Sequence, residues 1–380
     1  MKIGKLFFEK KIIVAAVIYF LISGFILSRY GIQLGGEAEK YIDNANRILH
    51  HSALRNGFFG IFYVVYSLLV LIFVKFSINL VFVAAVQIIL SFIAALSLYM
   101  LLVNVLENRT IAFLFLIGYL LCYPIQKWNY FLYSESMHTS LLVLGIYFFD
   151  KLLRDRKYKL LVTFGVVLLL ILFSRPVGIL FLAAATGVVL TWLYSNKKKI
   201  LFYIVSGLSL VAVIGIANSP VTAFINPDSL KRMEVICQVP ETNTDTAYQE
   251  FNQVGLYKVY TVIRDDIGVV NFLKNGFRKL GRFFGMYRPY YSWQNNLLLL
   301  FYCIFYPFML IGIFVKRGGG FFYVKLLSIL YLLLTSIIIF FTCDDWANRF
   351  ISPVFPFILI LAASGFLGVY KTISKKHFKE

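Results

Sequence analysis

Long apolar runs constrain the fold of this 380-residue chain more than any other feature of its sequence. A helix needs roughly 17–25 mostly apolar residues to cross the hydrocarbon core of a membrane. Because 60% of the residues are hydrophobic and only 14% are charged, a single aqueous core cannot bury this much apolar surface. The sequence therefore predicts an all-α polytopic membrane protein with about ten transmembrane helices. The predicted spans are Ile12–Leu27, Ile78–Leu106, Ile111–Pro124, Met137–Phe149, Leu160–Phe173, Val177–Tyr194, Ile200–Ile216, Leu297–Val315, Phe321–Phe341 and Ile351–Tyr370.

One further apolar stretch, Phe58–Val74, is assigned from the distribution of positive charge. Cytoplasmic connectors of membrane proteins carry an excess of Lys and Arg. The basic connectors of this chain, together with a cytoplasmic N-terminus, all lie inside only if Phe58–Val74 does not cross. We therefore predict that this segment is interfacial or re-entrant. The connectors also account for most of the net charge of +19, so the charge does not indicate a nucleic-acid surface.

The same topology predicts one multi-span membrane domain over residues 1–380. Its parts are outer loop 1 (residues 28–56), the interfacial segment (58–74), a large outer loop (217–296) and a cytoplasmic tail (371–380). Within the large loop, apolar residues of Asp265–Met286 recur at helical spacing beside four basic residues. This pattern predicts an amphipathic helix suited to a membrane surface.

Ionisable residues are nearly absent from the predicted spans and collect in the outer segments. Ion-coupled transporters place charges at mid-membrane because their mechanism needs them, so this distribution disfavours a transporter. Arg175 lies between two apolar spans and precedes a proline, a setting in which an arginine favours a planar oxyanion partner such as phosphate. His138 is interpreted as a packed residue. The outer charged residues are Glu37, Glu39, Asp43, Lys127, Glu135, Arg175, Asp344, Asp345 and Arg349.

Four motifs in these outer segments resemble, in their order and spacing, the GT-C class of integral membrane glycosyltransferases. That class includes protein O-mannosyltransferases and lipid A aminoarabinose transferases. The family usually has Asp four residues before the Tyr of the first loop, where this chain has Glu37 before Tyr41. The motifs are Gly36-Glu37-Ala38-Glu39-Lys40-Tyr41-Ile42, Tyr133-Ser134-Glu135-Ser136-Met137, Ser174-Arg175-Pro176-Val177-Gly178 and Asp344-Asp345-Trp346-Ala347-Asn348-Arg349-Phe350.

The resemblance implies a polyprenyl-phosphate-linked sugar as donor and a lipid, glycan or protein as acceptor. It further implies a multi-pass protein of a bacterial inner (plasma) membrane, with its active site on the outer, periplasmic face. The membrane lipids are then its other partners, and no nucleic acid is expected.

Sugar transfer with a lipid phosphate leaving needs a base for the acceptor and cations for the departing phosphate. We predict Glu37 as the base and Glu135 as a second carboxylate that orients the acceptor, the base or a metal. Arg175 and Arg349 are predicted to bind the donor phosphate, and Lys127 is a weaker candidate. Tyr41 is assigned to substrate binding, and Asp344 and Asp345 to fixing Arg349 or binding the acceptor.

The requirement for a metal stays open at this stage. Glu37, Glu39 and Asp43 are ligands of the type that a hard divalent cation prefers, but no fixed ligand spacing supports such a site.

Simpler alternatives exist for several of these residues. Glu37 could be an ordinary surface acid, and Glu135 could serve the N-terminus of a helix capped by Ser134. The aromatic segment Tyr287–Trp293 is explained by interfacial anchoring better than by sugar stacking. Cys237 and Cys343 could pair, and Cys122 and Cys303 are expected in the core.

The alternative functions are a polysaccharide polymerase or ligase, a flippase for lipid-linked sugars, and a non-enzymatic scaffold.

Overall fold

A computed structural model describes residues 10–55, 57–217, 233, 260–315, 320–342 and 348–377. Within these ranges the regular secondary structure is helical, and an isolated β-bridge joins Gln33 to Phe131. This confirms the all-α class. The α-helices are α1 Lys10–Tyr30, α2 Ala38–Leu49, α3 Val64–Lys75, α4 Val81–Leu106, α5 Arg109–Leu120, α6 Tyr123–Gln126, α7 Ser134–Asp155, α8 Tyr158–Ser174, α9 Gly178–Ser195, α10 Lys199–Ala217, α11 Val269–Gly285, α12 Trp293–Tyr302, α13 Phe305–Phe314, α14 Gly320–Ile339 and α15 Phe355–His377.

Six helical segments of the described chain are long and apolar enough to cross a membrane. A seventh is the pair Arg109–Leu120 and Tyr123–Tyr130, which together qualify as one span but bend by 49°. The chain is therefore a multi-pass membrane protein. The six are Lys10–Tyr30, Val81–Leu106, Gly178–Ser195, Trp293–Phe314, Phe321–Ile339 and Phe355–Ser374.

Three predicted spans form helices that do not meet these criteria, so the number of about ten is not confirmed. Helix α8 has 17 residues and rises about 25 Å, less than the ~30 Å hydrocarbon core. Helix α7 has 22 residues but includes Glu135, His138 and Asp150. Helix α10 qualifies as a shorter apolar helix over Lys199–Val211, the part of it whose side chains the structure describes.

The predicted interfacial segment is a 3₁₀-helix over Gly57–Tyr63 followed by α3. Helix α3 has 12 residues and so rises about 18 Å, which agrees with a segment that does not cross. It packs against α2 and α8.

Two compact units divide the chain. The first comprises the described residues of Met1–Leu182, Phe301–Ser328 and Ser352–Glu380. In it, α7 packs between α4 and α8, and α13 packs against α15. The last pair approaches closely at two glycines, because a Cβ at Gly312 would collide with the Leu361 carbonyl and one at Gly365 with the Phe308 carbonyl. Small residues allow this backbone contact between apolar helices.

The second unit comprises the described residues of Ala183–Leu300 and Ile329–Ile351. Its helix α11, which follows a π-helical turn over Val262–Ile267, confirms the amphipathic helix predicted from the sequence. The ring of Phe272 packs on Phe340 and Phe341, with centroids 5.9 and 5.5 Å away. About half of the predicted large outer loop, residues 218–232 and 234–259, lies outside the described residues.

Candidate functional site

Backbone hydrogen bonds join outer loop 1 to the segment that precedes α7. The backbone N–H of Gln33 donates to the Tyr130 carbonyl at 2.7 Å, and that of Leu132 donates to the Gln33 carbonyl at 3.1 Å. A Cβ at Gly35 would collide with the Tyr133 hydroxyl, so the loop passes directly against the hydroxyl end of that side chain. These contacts fix the position of the residues that lead into α2.

Helix α2 presents Tyr41 to the start of α7. Tyr41 is fully buried, its hydroxyl lies 2.9 Å from Ser134 Oγ, and its ring meets that of Tyr66 edge-on at 4.7 Å. Two residues of the predicted motifs, far apart in the sequence, therefore meet through their hydroxyls. Ser134 is the first residue of α7 rather than its cap, because the N-cap is Tyr133 and makes no side-chain bond there.

Glu37 and Glu39 differ in their surroundings. Glu37 occupies the N-cap of α2 without a side-chain capping bond, and its backbone N–H donates to the Tyr133 hydroxyl at 3.5 Å. Its side chain is half-buried, whereas that of Glu39 is exposed. Asp43, one turn further on, pairs with Arg47 at 2.9 Å on the exposed side of the helix. Glu37 is thus half-buried at the N-terminus of α2, whereas Glu39 is exposed and Asp43 is paired with Arg47.

A buried ion pair joins Glu135 to Arg175. Arg175 Nη1 lies 2.6 Å from Glu135 Oε1, and the exposed fractions of the two side chains are 7% and 0%. Glu135 is in the first turn of α7, and Arg175 is the extended residue that ends α8. Because a buried charge is costly without a partner, each residue fixes the position of the other.

His138 provides a second contact between the same two elements. One turn beyond Glu135, its Nδ1 lies 2.7 Å from Ser174 Oγ. The Ser174 hydroxyl donates its hydrogen to the Ile171 carbonyl at 2.9 Å, so Nδ1 must be the donor in the bond between them. In the described chain, Nε2 has no hydrogen-bond partner. The interpretation of His138 as a packed residue agrees with its complete burial.

Four predicted residues form one electrostatic group, here named the acid–arginine cluster: Glu37, Tyr41, Glu135 and Arg175. Burial raises the pKa of the Tyr41 hydroxyl well above its usual range. The negative charges of Glu135 and Glu37 raise that pKa further, and the positive charge of Arg175 opposes them. All three charges therefore act on one hydroxyl, and the structure brings together residues from three of the four motifs.

Lys127 lies on the short 3₁₀ turn Lys127–Tyr130 and is buried. Its Nζ is 4.8 Å from the ring centroid of Trp128 and 5.6 Å from that of Tyr123. The Trp128 ring in turn stacks on Tyr133 at 5.8 Å. The rings of Trp128 and Tyr123 thus lie beside the Lys127 ammonium group. The assignment of Lys127 to phosphate binding stays a prediction.

A buried polar network, missed in the sequence, holds the turn that precedes α7. Asn129 Nδ2 donates to Gln126 Oε1 at 2.7 Å, and Ser136 Oγ donates to Asn129 Oδ1 at 2.5 Å. Gln87 Nε2 donates to the carbonyls of Asn129 and Phe131, both at 3.0 Å. These bonds fix the backbone that carries Lys127 and meets outer loop 1. Single amides within apolar runs leave no periodic signal in the sequence.

Most of the fourth motif lies outside the residues that the structure describes. Asp344 and Asp345 fall outside the described residues. Arg349 is half-buried in the second unit, on the turn that precedes α15. Its neighbour Asn348 is buried and donates to the Met286 carbonyl at 3.2 Å. The assignment of Arg349 to the donor phosphate therefore stays a prediction.

The described cysteines Cys122 and Cys303 are free thiols, buried and half-buried. Cys237 and Cys343 lie outside the described residues, so their pairing stays a prediction.

In the part of the chain that the structure describes, no group of three or more His, Cys, Asp or Glu side chains could hold a metal ion. The hypothetical ligand set Glu37, Glu39 and Asp43 is therefore not assembled in the structure.

The model of the Alg9-like mannosyltransferase family matches residues 264–380. This family belongs to the GT-C class, so the match confirms the resemblance to GT-C membrane glycosyltransferases. The matched segment includes Arg349 but not the acid–arginine cluster. No curated protein and no solved structure matches the chain.

Proposed function

We infer that this membrane glycosyltransferase transfers a sugar from a polyprenyl-phosphate-linked donor to a lipid, glycan or protein acceptor. We place the reaction at the acid–arginine cluster, on the outer face of a bacterial inner membrane. The observation that carries the proposal is the buried ion pair between Glu135 and Arg175, with Tyr41 and Glu37 of outer loop 1 beside it. An arginine fixed in this way is suited to an anionic lipid that enters from the bilayer.

Arg175 is the residue that we assign to the donor phosphate. A guanidinium carries donors on three nitrogens, so an arginine oriented by a carboxylate through Nη1 can also bind a phosphate oxygen. Such charge-assisted bonds strengthen as negative charge develops on the departing phosphate. The extended backbone before Pro176 and the His138–Ser174 bond hold the position of this arginine.

Glu37 is the better base of the two carboxylates. The carboxylate of Glu135 is fully buried against a cation, which stabilises its ionised form and weakens it as a proton acceptor. Glu37 is half-buried, which leaves it accessible to an acceptor. In the proposed step the acceptor oxygen or nitrogen forms a bond to the anomeric carbon while the bond from that carbon to the phosphate oxygen breaks. The electron pair stays with the lipid phosphate, and the acceptor proton passes to Glu37.

Tyr41 and Glu135 are positioning residues in this scheme. Tyr41 joins α2 to α7 through Ser134, so it sets the distance between Glu37 and Arg175. Glu135 orients the guanidinium.

The direct test uses the purified full-length protein with lipid-phosphate sugars, supplied one at a time. We expect acceptor-dependent release of free lipid phosphate, and the Arg175→Ala variant should show a raised donor KM. Arg175→Lys should recover part of the loss, because lysine keeps the charge but lacks the planar fork.

The matched control replaces Arg47, an exposed arginine of outer loop 1, with alanine, and its donor kinetics should be normal. Movement of the donor across vesicles without release of lipid phosphate would favour the flippase. Release of a lipid diphosphate would favour the polymerase or ligase.

A further inference from the structure

Helix α11 has one face that the protein itself covers. A Cβ at Gly276 would collide with the ring of Phe340, so that ring lies flat on the helix. Lys279 is buried, and its Nζ donates to the carbonyls of Thr342 at 2.6 Å and Met233 at 2.5 Å. Together with Phe272 and Phe283, these residues form the packed side, which leaves the other two sides of the helix to be explained.

The second side is apolar and exposed. The exposed fractions are 79% for Val270, 43% for Leu273 and 64% for Phe277. The spacing of three and four residues places these side chains on one stripe of the helix. Exposure of a contiguous apolar stripe marks a binding surface for protein or membrane.

The third side is basic. Lys274, Arg278 and Arg282 recur every four residues and are all exposed, so they form a row along the helix. Helix α11 contains no acidic residue, and Asp265 before it pairs with Arg264 at 2.7 Å. The row is an exposed strip of positive charge, and it borders the exposed apolar stripe.

The chain beyond α11 indicates the depth at which the helix lies. Tyr287, Tyr290 and Trp293 are exposed and follow it directly, and Trp293 begins the candidate span Trp293–Phe314. Tyr and Trp concentrate where a span meets the head groups. Helix α11 thus leads into a membrane span through an aromatic segment typical of the interface.

We propose that α11 lies in the membrane interface and binds the head groups of anionic phospholipids through Lys274, Arg278 and Arg282. Its Val270, Leu273 and Phe277 side chains enter the acyl region of the same leaflet. The occupant is a bilayer lipid such as phosphatidylglycerol, because one helix combines a basic row with an adjacent exposed apolar stripe. This inference is independent of the proposed transferase reaction.

The test measures the association of spin-labelled phosphatidylglycerol and phosphatidylcholine with the full-length protein in nanodiscs. A cation beside an anionic surface contributes about 5-fold in affinity, so three contribute about 100-fold at this site. In the variant Lys274→Gln/Arg278→Gln/Arg282→Gln, we expect the tightest phosphatidylglycerol sites to be lost. The matched control Lys274→Arg/Arg278→Lys/Arg282→Lys keeps the charge and should retain them.

Salt provides a second measurement that needs no variant. The preference of the wild-type protein for phosphatidylglycerol should fall in 1 M salt, where the Debye length is about 3 Å. Thermal unfolding in phosphatidylcholine nanodiscs checks that the neutral variant is folded. A folded neutral variant that keeps the wild-type preference overturns the proposal, and so does a preference that salt does not change.

Discussion

Breaking the Glu135–Arg175 ion pair from one side should destabilise the first unit strongly. At an effective dielectric constant of about 20, unit charges 2.6 Å apart attract each other by about 6 kcal/mol. Both charges are delocalised and both are removed from water, so the measured effect will be smaller. Loss of one partner of a buried pair typically costs about 3–5 kcal/mol, because the other charge stays buried without compensation. We therefore expect Glu135→Gln to lower the free energy of unfolding by this amount.

The double variant Glu135→Gln/Arg175→Met provides the decisive comparison. It removes both charges, so its free energy of unfolding should lie closer to the wild type than that of Glu135→Gln alone. Reversible unfolding in detergent micelles, measured for the wild type, both single variants and the double variant, gives the coupling energy. Additive losses would show that the two side chains do not interact, and the reasoning from the ion pair would then be wrong. The exposed pair Asp43–Arg47 is the control, with a coupling of about 0–1 kcal/mol.

Three further predictions concern the base, the buried histidine and the topology. Glu37→Gln should lower turnover by about 10²–10⁴-fold without raising the donor KM, whereas Glu39→Gln should turn over normally. If Glu39→Gln were the more damaging change, the base would be Glu39 and the assignment of Glu37 would be wrong. His138→Asn keeps a donor near the position of Nδ1, so its free energy of unfolding should equal that of the wild type. His138→Gln should lower the free energy of unfolding by about 1–3 kcal/mol. Equal losses in the two variants would contradict the assigned tautomer. Cysteines introduced at Lys75 and Arg109 should be labelled from outside and inside respectively, and the reverse pattern would exclude an interfacial Phe58–Val74.

Sequence reasoning identified all four members of the acid–arginine cluster, three as charged residues in a largely apolar chain and Tyr41 through the family resemblance. Glu37, Glu135 and Arg175 stand out for that reason, and their motifs occur in family order. The sequence could not indicate that Glu135 pairs with Arg175, since 39 intervening residues and the packing of α7 on α8 decide it. It also suggested Ser134 as a cap, whereas the hydroxyl instead bonds Tyr41.

Some features of the helices could be predicted from the sequence and others could not. The amphipathic period of α11 was visible in the sequence despite Gly276, because that glycine accommodates the ring of Phe340 and does not break the helix. The 49° bend after α5 was not predicted. The amide of Gln126 donates to the Tyr119 carbonyl across this bend and accepts from Asn129, in a polar network that has no sequence period.

The net charge of the acid–arginine cluster limits how tightly it can bind the donor phosphate. At their formal charges, Glu37, Glu135 and Arg175 together carry a charge of −1. A phosphate would then meet net repulsion, so Arg175 alone does not explain donor binding. A second cation would offset this charge, and within the same unit the candidates are Lys127 and Lys40, whose Nζ lies 5.8 Å from the Tyr41 ring centroid. Transfer of the acceptor proton to Glu37 would remove one negative charge from this cluster as the lipid phosphate gains one.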